Sequence, residues 1–386
     1  MRDVLAQLKR SVHQPRLELR RSWCQSGLFR LQRALQREVY SRRLSGPVQR
    51  SEGAEPTVTL ARIIGNDLYP RHAEGQALIN LQTVLDQEPN RPGWRKLFVF
   101  NRCLDASLVA EAVRQVEAAG HTAIVLPFDP DEYRQIRCDA SFFGGLHYFQ
   151  SPEFKVKSIN QRNRERLWAC APKIHYLMNI NGARNVALDQ GRAQSDWTFV
   201  LDGSCFVSEE AQRRLQRDLV SAPHTPYLVL AMQRLAGNAD LATADVEPNR
   251  KEEPQLAFRF DAAESFDAAF PYGMRDKTAL LDRLGVPGFW NLWGAMPWLP
   301  SSRPRAQERH CYKYASAAVL RLTSGIAAGS LEAPAAQAQR YRSRAEAIFR
   351  TLAVVDERCG AIDRQQAAAV MGLSPSAAGH DIVEAG

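Results

Sequence analysis

The stretch NGARNVALDQGRAQSDWTFVLDGSCFVSEEA, residues 181–211, decides how the rest of the chain is read. Its first part continues a helix expected from about Pro172 to Gly191. Ile174, Met178, Gly182 and Val186 step by four along one face, while Asn181, Arg184 and Asn185 fall at i, i+3 and i+4 on another. Glycine inside a helix costs about 1 kcal/mol against alanine, so Gly182 is expected to have a packing or functional reason. The second part, WTFVLDGSCFV (197–207), has the composition of a buried strand ending in Asp202-Gly203-Ser204, and a helix capped by Ser208 follows to about Val220.

Outward from this block the same alternation repeats. TVTLARIIG (57–65), KLFVFN (96–101), HTAIVLPF (121–128) and YLVLAMQRL (227–235) read as strands; helices are expected at about Glu74–Gln87 and Asp105–Ala119. Strands alternating with helices predict βαβ units, hence an α/β fold with an open, mostly parallel sheet and helices on both faces. Residues 129–171 are aromatic and basic without a clear period. Residues 236–302 are irregular, with LAFRF (256–260) as the expected strand, and about Arg309–Glu357 is Ala-rich and expected to be helical. The predicted organisation is a basic helical arm (1–56), an α/β half (57–235), an irregular region (236–308), C-terminal helices (309–372) and a tail (373–386).

Composition narrows the function classes. A chain of 386 residues with 45% hydrophobic and 24% charged residues is too long and apolar for a disordered tail or disulfide-stapled miniprotein. No run of about 18 membrane-compatible apolar residues occurs. The N-terminus lacks the apolar middle of a secretory signal, so a cytoplasmic location is expected, with a peripheral place on the inner face of a membrane as an extension. Seven scattered cysteines without a CxxC pair read as reduced thiols. The net charge of +8 is local: residues 1–50 hold twelve Lys or Arg against three Asp or Glu, and the other 336 hold 38 against 39. The near-neutral body disfavours nucleic acid; residues 1–50 suit an anionic membrane surface, an acidic partner or a solvated arm.

In open α/β sheets ligands bind beyond the carboxyl ends of the strands, where loop amides and helix N-termini converge. Those ends carry Gly65-Asn66-Asp67, Asn101-Arg102 with Asp105, and Asp202-Gly203-Ser204. Together with Asn181, Arg184 and Asn185 on the preceding helix, they form one candidate site; each taken singly is also an ordinary turn or cap.

The 181–211 block resembles that of GT-A fold, family-2-like nucleotide-sugar glycosyltransferases, in which a Gly-x-x-Arg-Asn helix leads to a strand ending in Asp-x-Asp. The resemblance spans about residues 57–235 and implies a Rossmann-like sheet. It also implies a nucleotide site lined by Asn66, Asp67, Arg184 and Asn185, with Arg102, Asn181 and Gly203 beside it, and Asp202 holding Mg²⁺ or Mn²⁺ against the sugar diphosphate. The chain departs from the pattern at Ser204, where the second carboxylate would stand. One carboxylate and a hydroxyl make a weak divalent site; the resemblance offers His310 as a further ligand, with a surface or helix-capping histidine as the alternative, and without metal Arg and Lys must offset the phosphate charge.

The resemblance places an acceptor site past residue 235. There Glu252 or Glu253 is the candidate general base, with Asp261 or Asp267 behind them, and Trp290 and Trp293 are candidate stacking platforms unless their loop plugs the core. Tyr272-Gly273 and Arg275 to Lys277 read as surface, with phosphate contacts as the alternative. The expected activity is glycosyl transfer from a nucleotide-diphosphate sugar to a saccharide or glycolipid, and the resemblance implies bacterial surface polysaccharide synthesis. The competing readings are a non-catalytic basic-arm protein and a nucleotidyltransferase, the latter disfavoured by the single glycine, Gly65, between Ile64 and Gly75.

Overall fold

The computed structural model describes residues 55–222, 224–235, 238, 241, 252–288, 290, 306, 308–323 and 334–373. Residues 1–54, most of the predicted arm, and Trp293 lie outside them. The strands are β1 (Val58–Ile64), β2 (Trp94–Asn101), β3 (Thr122–Leu126), β4 (Trp197–Asp202), β5 (Cys205–Phe206), β6 (Tyr227–Arg234), β7 (Gln255–Arg259) and β8 (Tyr312–Arg321). They form one sheet in the order β3-β2-β1-β4-β7-β6-β8-β5. β1 is parallel to β2 and β4, β2 to β3, and β6 to β8; β7 runs antiparallel between β4 and β6. The α/β class and mostly parallel sheet are as the sequence predicts.

The two faces of the sheet follow the period-2 alternation of the strands. Leu60, Ile64, Phe98 and Phe100 face α1 (Gln76–Gln87), α2 (Ala106–Ala118) and α8 (Glu209–Val220) through Leu81, Val84, Ala112, Val116, Leu215 and Leu219. Ala61, Ile63, Leu97 and Val99 face α7 (Ile180–Gln194) through Ala183, Val186 and Ala187; on the same side Val200, Leu256 and Phe258 meet α9 (Thr278–Leu284).

Two expectations are corrected. Residues 312–321 form strand β8 where a helix was expected. Ala315 and Ala317 are buried in one cluster with Ala211, Leu215 and Leu219 of α8, so their small side chains let a helix pack closely on the strand. The helix expected at 172–191 is two: α6 (Ala171–Met178) ends at Asn179, in the left-handed region at φ 38°, and α7 starts there. Asn179 also explains Gly182, because a Cβ at 182 would lie 2.1 Å from Asn179 Oδ1.

The aperiodic segment 129–171 holds three α-helices, α3 (Pro130–Arg134), α4 (Pro152–Lys155) and α5 (Ile159–Ala169), and two 3₁₀ turns, Ser141–Phe143 and Leu146–Gln150. Together with α6 they share a core with α10 (Pro334–Arg358) and α11 (Arg364–Met371). Inside it Lys173, fully buried, bonds Asp356 at 2.6 Å and pairs with Asp363 at 2.7 Å. This ties α6, and the α7 that follows it, to the C-terminal helices.

Candidate functional site

From β1 the chain winds through β2 to β3 on one side and returns to β4 on the other. The sheet therefore has a topological switch point between the carboxyl ends of β1 and β4, the position at which open α/β sheets receive their ligands. Asp202 is the last residue of β4 and pairs in register with Ile63. Gly203 then turns the chain across the end of β1: a Cβ there would lie 2.6 Å from the Ile63 carbonyl oxygen, a backbone atom held in the ladder. Gly203→Ala is accordingly expected to cost about 1–3 kcal/mol of stability, as overpacking does; a urea midpoint equal to wild type would refute the contact.

The Asp202 side chain is one quarter exposed and surrounded by cations. Arg184 from α7 approaches Oδ1 at 3.1 Å, Lys277 just before α9 lies 3.7 Å from Oδ2, and the Gln255 amide donates to Oδ2 at 3.0 Å. Burial alone would raise its pKa; Lys277, Arg184 and Arg321, with the Gln255 bond, outweigh burial and hold it well below the usual carboxylate range. The network extends outward: Arg184 pairs with Asp276 at 2.9 Å and Lys277 with Glu253 at 3.0 Å. Lys277 is 2% exposed, so it belongs to the interior of the site and not to the surface first expected of it.

The other sequence-predicted residues divide by what they hold. Asn66 joins the ends of β1 and β2, donating to the Arg102 carbonyl at 2.9 Å and accepting from the Leu104 amide at 2.8 Å. Asp67 accepts from the Ala77 amide at the start of α1 at 3.1 Å. Arg102 turns inward, its guanidinium carbon 3.8 Å from the centre of the Tyr176 ring. Asn181 accepts from Arg184 at 3.0 Å and donates to the Asp267 and Asp276 carbonyls, whereas Asn185 fixes the Phe266 backbone on the outer side. The structure thus gathers Arg184, Asn181, Asp202, Gly203 and Glu253 into one group, with Asn66 and Asp67 at the neighbouring strand end.

Two residues fall elsewhere. His310 precedes the first residue of β8, at the amino end of that strand, while Arg321, which acts on Asp202, is at its carboxyl end. At about 3.3 Å per residue the ten-residue strand sets His310 roughly 30 Å from the Asp202 edge. Trp290 is 2% exposed with its indole N–H on the Val286 carbonyl at 2.9 Å, so it fills the core and has no ring face for a sugar. Of the candidate bases other than Glu253, Glu252 pairs with Arg234 at 2.6 Å, Asp261 pairs with Arg259 at the far end of β7, and the Asp267 carboxylate accepts from the Ala269 amide at 3.0 Å.

The donor set does not fit a divalent cation at Asp202. Ser204 offers a hydroxyl at most, His310 is absent from the group, and both Asp202 oxygens already face Arg184, Gln255 or Lys277. Among the described residues no three His, Cys, Asp or Glu side chains are placed to share a metal. Cations occupy the place beside the carboxylate that a metal would need.

No protein-family profile matches the chain, and no curated protein matches it. Solved structures do. TarS 1–349 of S. aureus is 10% identical, covering 81% of this chain and 69% of its own, at a TM-score of 0.34; the same protein in complex with UDP gives 82%, 69% and 0.34. A mannosyltransferase of Pyrobaculum calidifontis, PcManGT, in complex with GDP-Man and Mn²⁺, is 12% identical, covering 89% of this chain and 85% of its own, at 0.33. Values this low transfer no residue's role to this chain. Among the described residues no helix is long and apolar enough to cross a membrane.

Sequence reasoning missed the basic rim of the crevice. Arg71 follows β1, Arg234 ends β6, Arg321 ends β8 and Arg344 lies on α10. Burial and then the Arg71, Arg321 and Arg344 charges push the His72 pKa down to about 4. Asp67, 3.9 Å from Nδ1, would favour the charged ring, but the Leu68 amide donates to that nitrogen at 3.3 Å and so requires the neutral form. The depressed folded pKa means the unfolded chain binds the proton first, so His72 contributes stability above pH about 6.5 that is lost as pH falls to about 4. His72→Asn is expected to remove about 1–3 kcal/mol of that pH dependence. Urea midpoints at pH 7 and pH 4.5 check it; equal slopes for variant and wild type would refute it.

Proposed function

We propose that the crevice at the β1–β4 switch point binds a nucleotide-diphosphate sugar and that the protein transfers its glycosyl group to a saccharide or glycolipid hydroxyl. The observation that carries the reading is Asp202 at the carboxyl end of β4, held beside Arg184 and Lys277 where an open α/β sheet receives a ligand. In this reading Arg184 and Lys277 face the charge that builds on the departing diphosphate, and the exposed edge of Asp202 accepts hydrogen bonds from donor hydroxyls. Glu253, about one third exposed and tethered to Lys277, is the carboxylate placed to take the acceptor's proton. Membrane-surface action through residues 1–50, which rests on their basic charge, and a role in surface polysaccharide synthesis, which rests on the sequence resemblance, extend the proposal.

A melting panel of nucleoside diphosphates and nucleotide sugars, with EDTA and with Mn²⁺, tests it. A donor at 100 times its dissociation constant adds about 2.7 kcal/mol to the folded state. A family of ligands sharing one base should raise Tm, and the sugar-bearing member should be turned over; a panel without any shift would remove the donor reading. Glu253→Gln is expected to lower turnover about 10²- to 10⁴-fold while leaving donor binding within about threefold, the split expected when a general base is lost.

A further inference from the structure

Beside the Asp202 group, arginines from four places in the chain act on one another: Arg234 and Arg321 are register partners at the level carboxyl ends of β6 and β8, Arg71 follows β1 and Arg344 lies on α10. The Arg71 guanidinium feels those of Arg344, Arg321 and Arg234, and burial together with these like charges draws its pKa down to about 10. Arg321 feels Asp202, Glu252 and Tyr272, and Arg344 lies 5.8 Å from the centre of the Tyr272 ring. Arg71 and Arg321 are enclosed by protein yet keep part of their surface open, as groups lining a concavity do. Of the four, Arg234 has Glu252 as partner. Among the described residues, Arg71, Arg321 and Arg344 have no carboxylate within ion-pair distance, and the Arg344 Nε is buried without an acceptor. Crowding like charges in a partly dry recess opposes folding, and planar guanidinium forks without carboxylates match phosphate oxygens.

We infer that Arg71, Arg321 and Arg344, bordered by Arg234 and Lys277, form an oxyanion recess that receives a diphosphate without help from a divalent metal. The inference deepens the donor reading and rests on the same crevice. Among the described residues Arg71 and Arg344 carry charge with no carboxylate paired to either, while Arg321 shares the single charge of Asp202 with Arg184 and Lys277, so the group holds more positive charge than its carboxylates offset. A phosphate monoester on the acceptor is the other source of the same chemistry; it would use fewer of the forks.

The test uses the full chain and inorganic pyrophosphate in EDTA, read by titration calorimetry and by melting. Pyrophosphate should bind without metal, UDP or GDP should compete with it, and Arg71→Gln and Arg344→Gln should each weaken it at least tenfold. Both variants relieve like-charge crowding, so the unliganded Tm should hold or rise by about 1–3 °C, which separates lost binding from lost folding. Binding that requires Mg²⁺ or Mn²⁺, or is unchanged in both variants, overturns the recess. So does glucose 6-phosphate binding as tightly as pyrophosphate with the same dependence on Arg71. Nucleotide sugars that bind the two variants as well as wild type would leave the donor reading standing and the recess refuted. Pyrophosphate bound through Arg71 and Arg344, with no nucleotide competing, would do the reverse.

Discussion

In the proposed glycosyl transfer, Asp202→Asn should lower turnover at least about 100-fold, a loss of roughly 2.7 kcal/mol of transition-state stabilisation. The substitution keeps the shape and one acceptor oxygen but removes the charge on which Lys277, Arg184 and Arg321 converge. Lys277 keeps Glu253 and Arg184 keeps Asp276, so the fold retains counter-charges for both. What is lost is the balance that aims the two cations into the crevice: each is expected to swing toward its remaining carboxylate and away from the diphosphate. Donor affinity should therefore fall with kcat, and added Mn²⁺ should rescue neither. Unchanged turnover in Asp202→Asn would refute the role, and rescue by Mn²⁺ would restore the metal-assisted alternative. The charge also has a pH signature. The folded pKa lies well below 3.8, so Asp202 contributes stability that is fully present above that value and is lost as pH falls below it.

How much of this was legible follows from the physics of particular residues. β1, β2, β4 and β6 are apolar runs bounded by turn residues, and such runs have few alternatives to a buried strand. Asp202 was visible because an acidic residue closing an apolar strand is costly unless it meets partners or solvent at the edge. Of its partners, Arg184 was legible with it and Lys277 reads as surface in the sequence, whereas the outer arginines were not visible. Arg71, Arg234, Arg321 and Arg344 are far apart in sequence and carry no motif; Arg234 and Arg321 come together because β6 and β8 run parallel and end level with one another. Arg321 was further hidden by the alanines of β8, which have high intrinsic helix propensity yet serve here to let α8 approach. The break at Asn179 escaped for the opposite reason. Its only signal is an asparagine, one of the few residues that enters the left-handed region, inside an otherwise continuous helical pattern.

Lys173→Met should produce the largest loss of stability, about 3–5 kcal/mol, because it leaves the carboxylates of Asp356 and Asp363 buried without a cation. The site is not simply polar: the ammonium also lies 5.3 Å from the centre of the Tyr133 ring, whose hydroxyl donates to Asp356 at 2.7 Å. Burial already raises the Asp356 pKa in the wild type, and removing Lys173 takes away the charge that opposes that rise. The sign is then fixed. A carboxyl whose folded pKa is raised binds its proton more readily folded than unfolded, so the penalty of the variant is greatest above that pKa and relieved as pH falls toward about 4. Urea midpoints at pH 8 and pH 5 should therefore show the gap between Lys173→Met and wild type narrowing in acid. Asp356→Asn supplies the contrast. It removes one of two negative charges from a cluster with a single positive one and leaves Lys173 paired with Asp363, so its cost should be less than half that of Lys173→Met. Equal costs for the two variants would mean that packing, and not charge, holds this junction. The site would feel the difference, because α6 passes through Asn179 directly into the helix that carries Arg184, and loosening the lock should lower donor affinity even in molecules that remain folded.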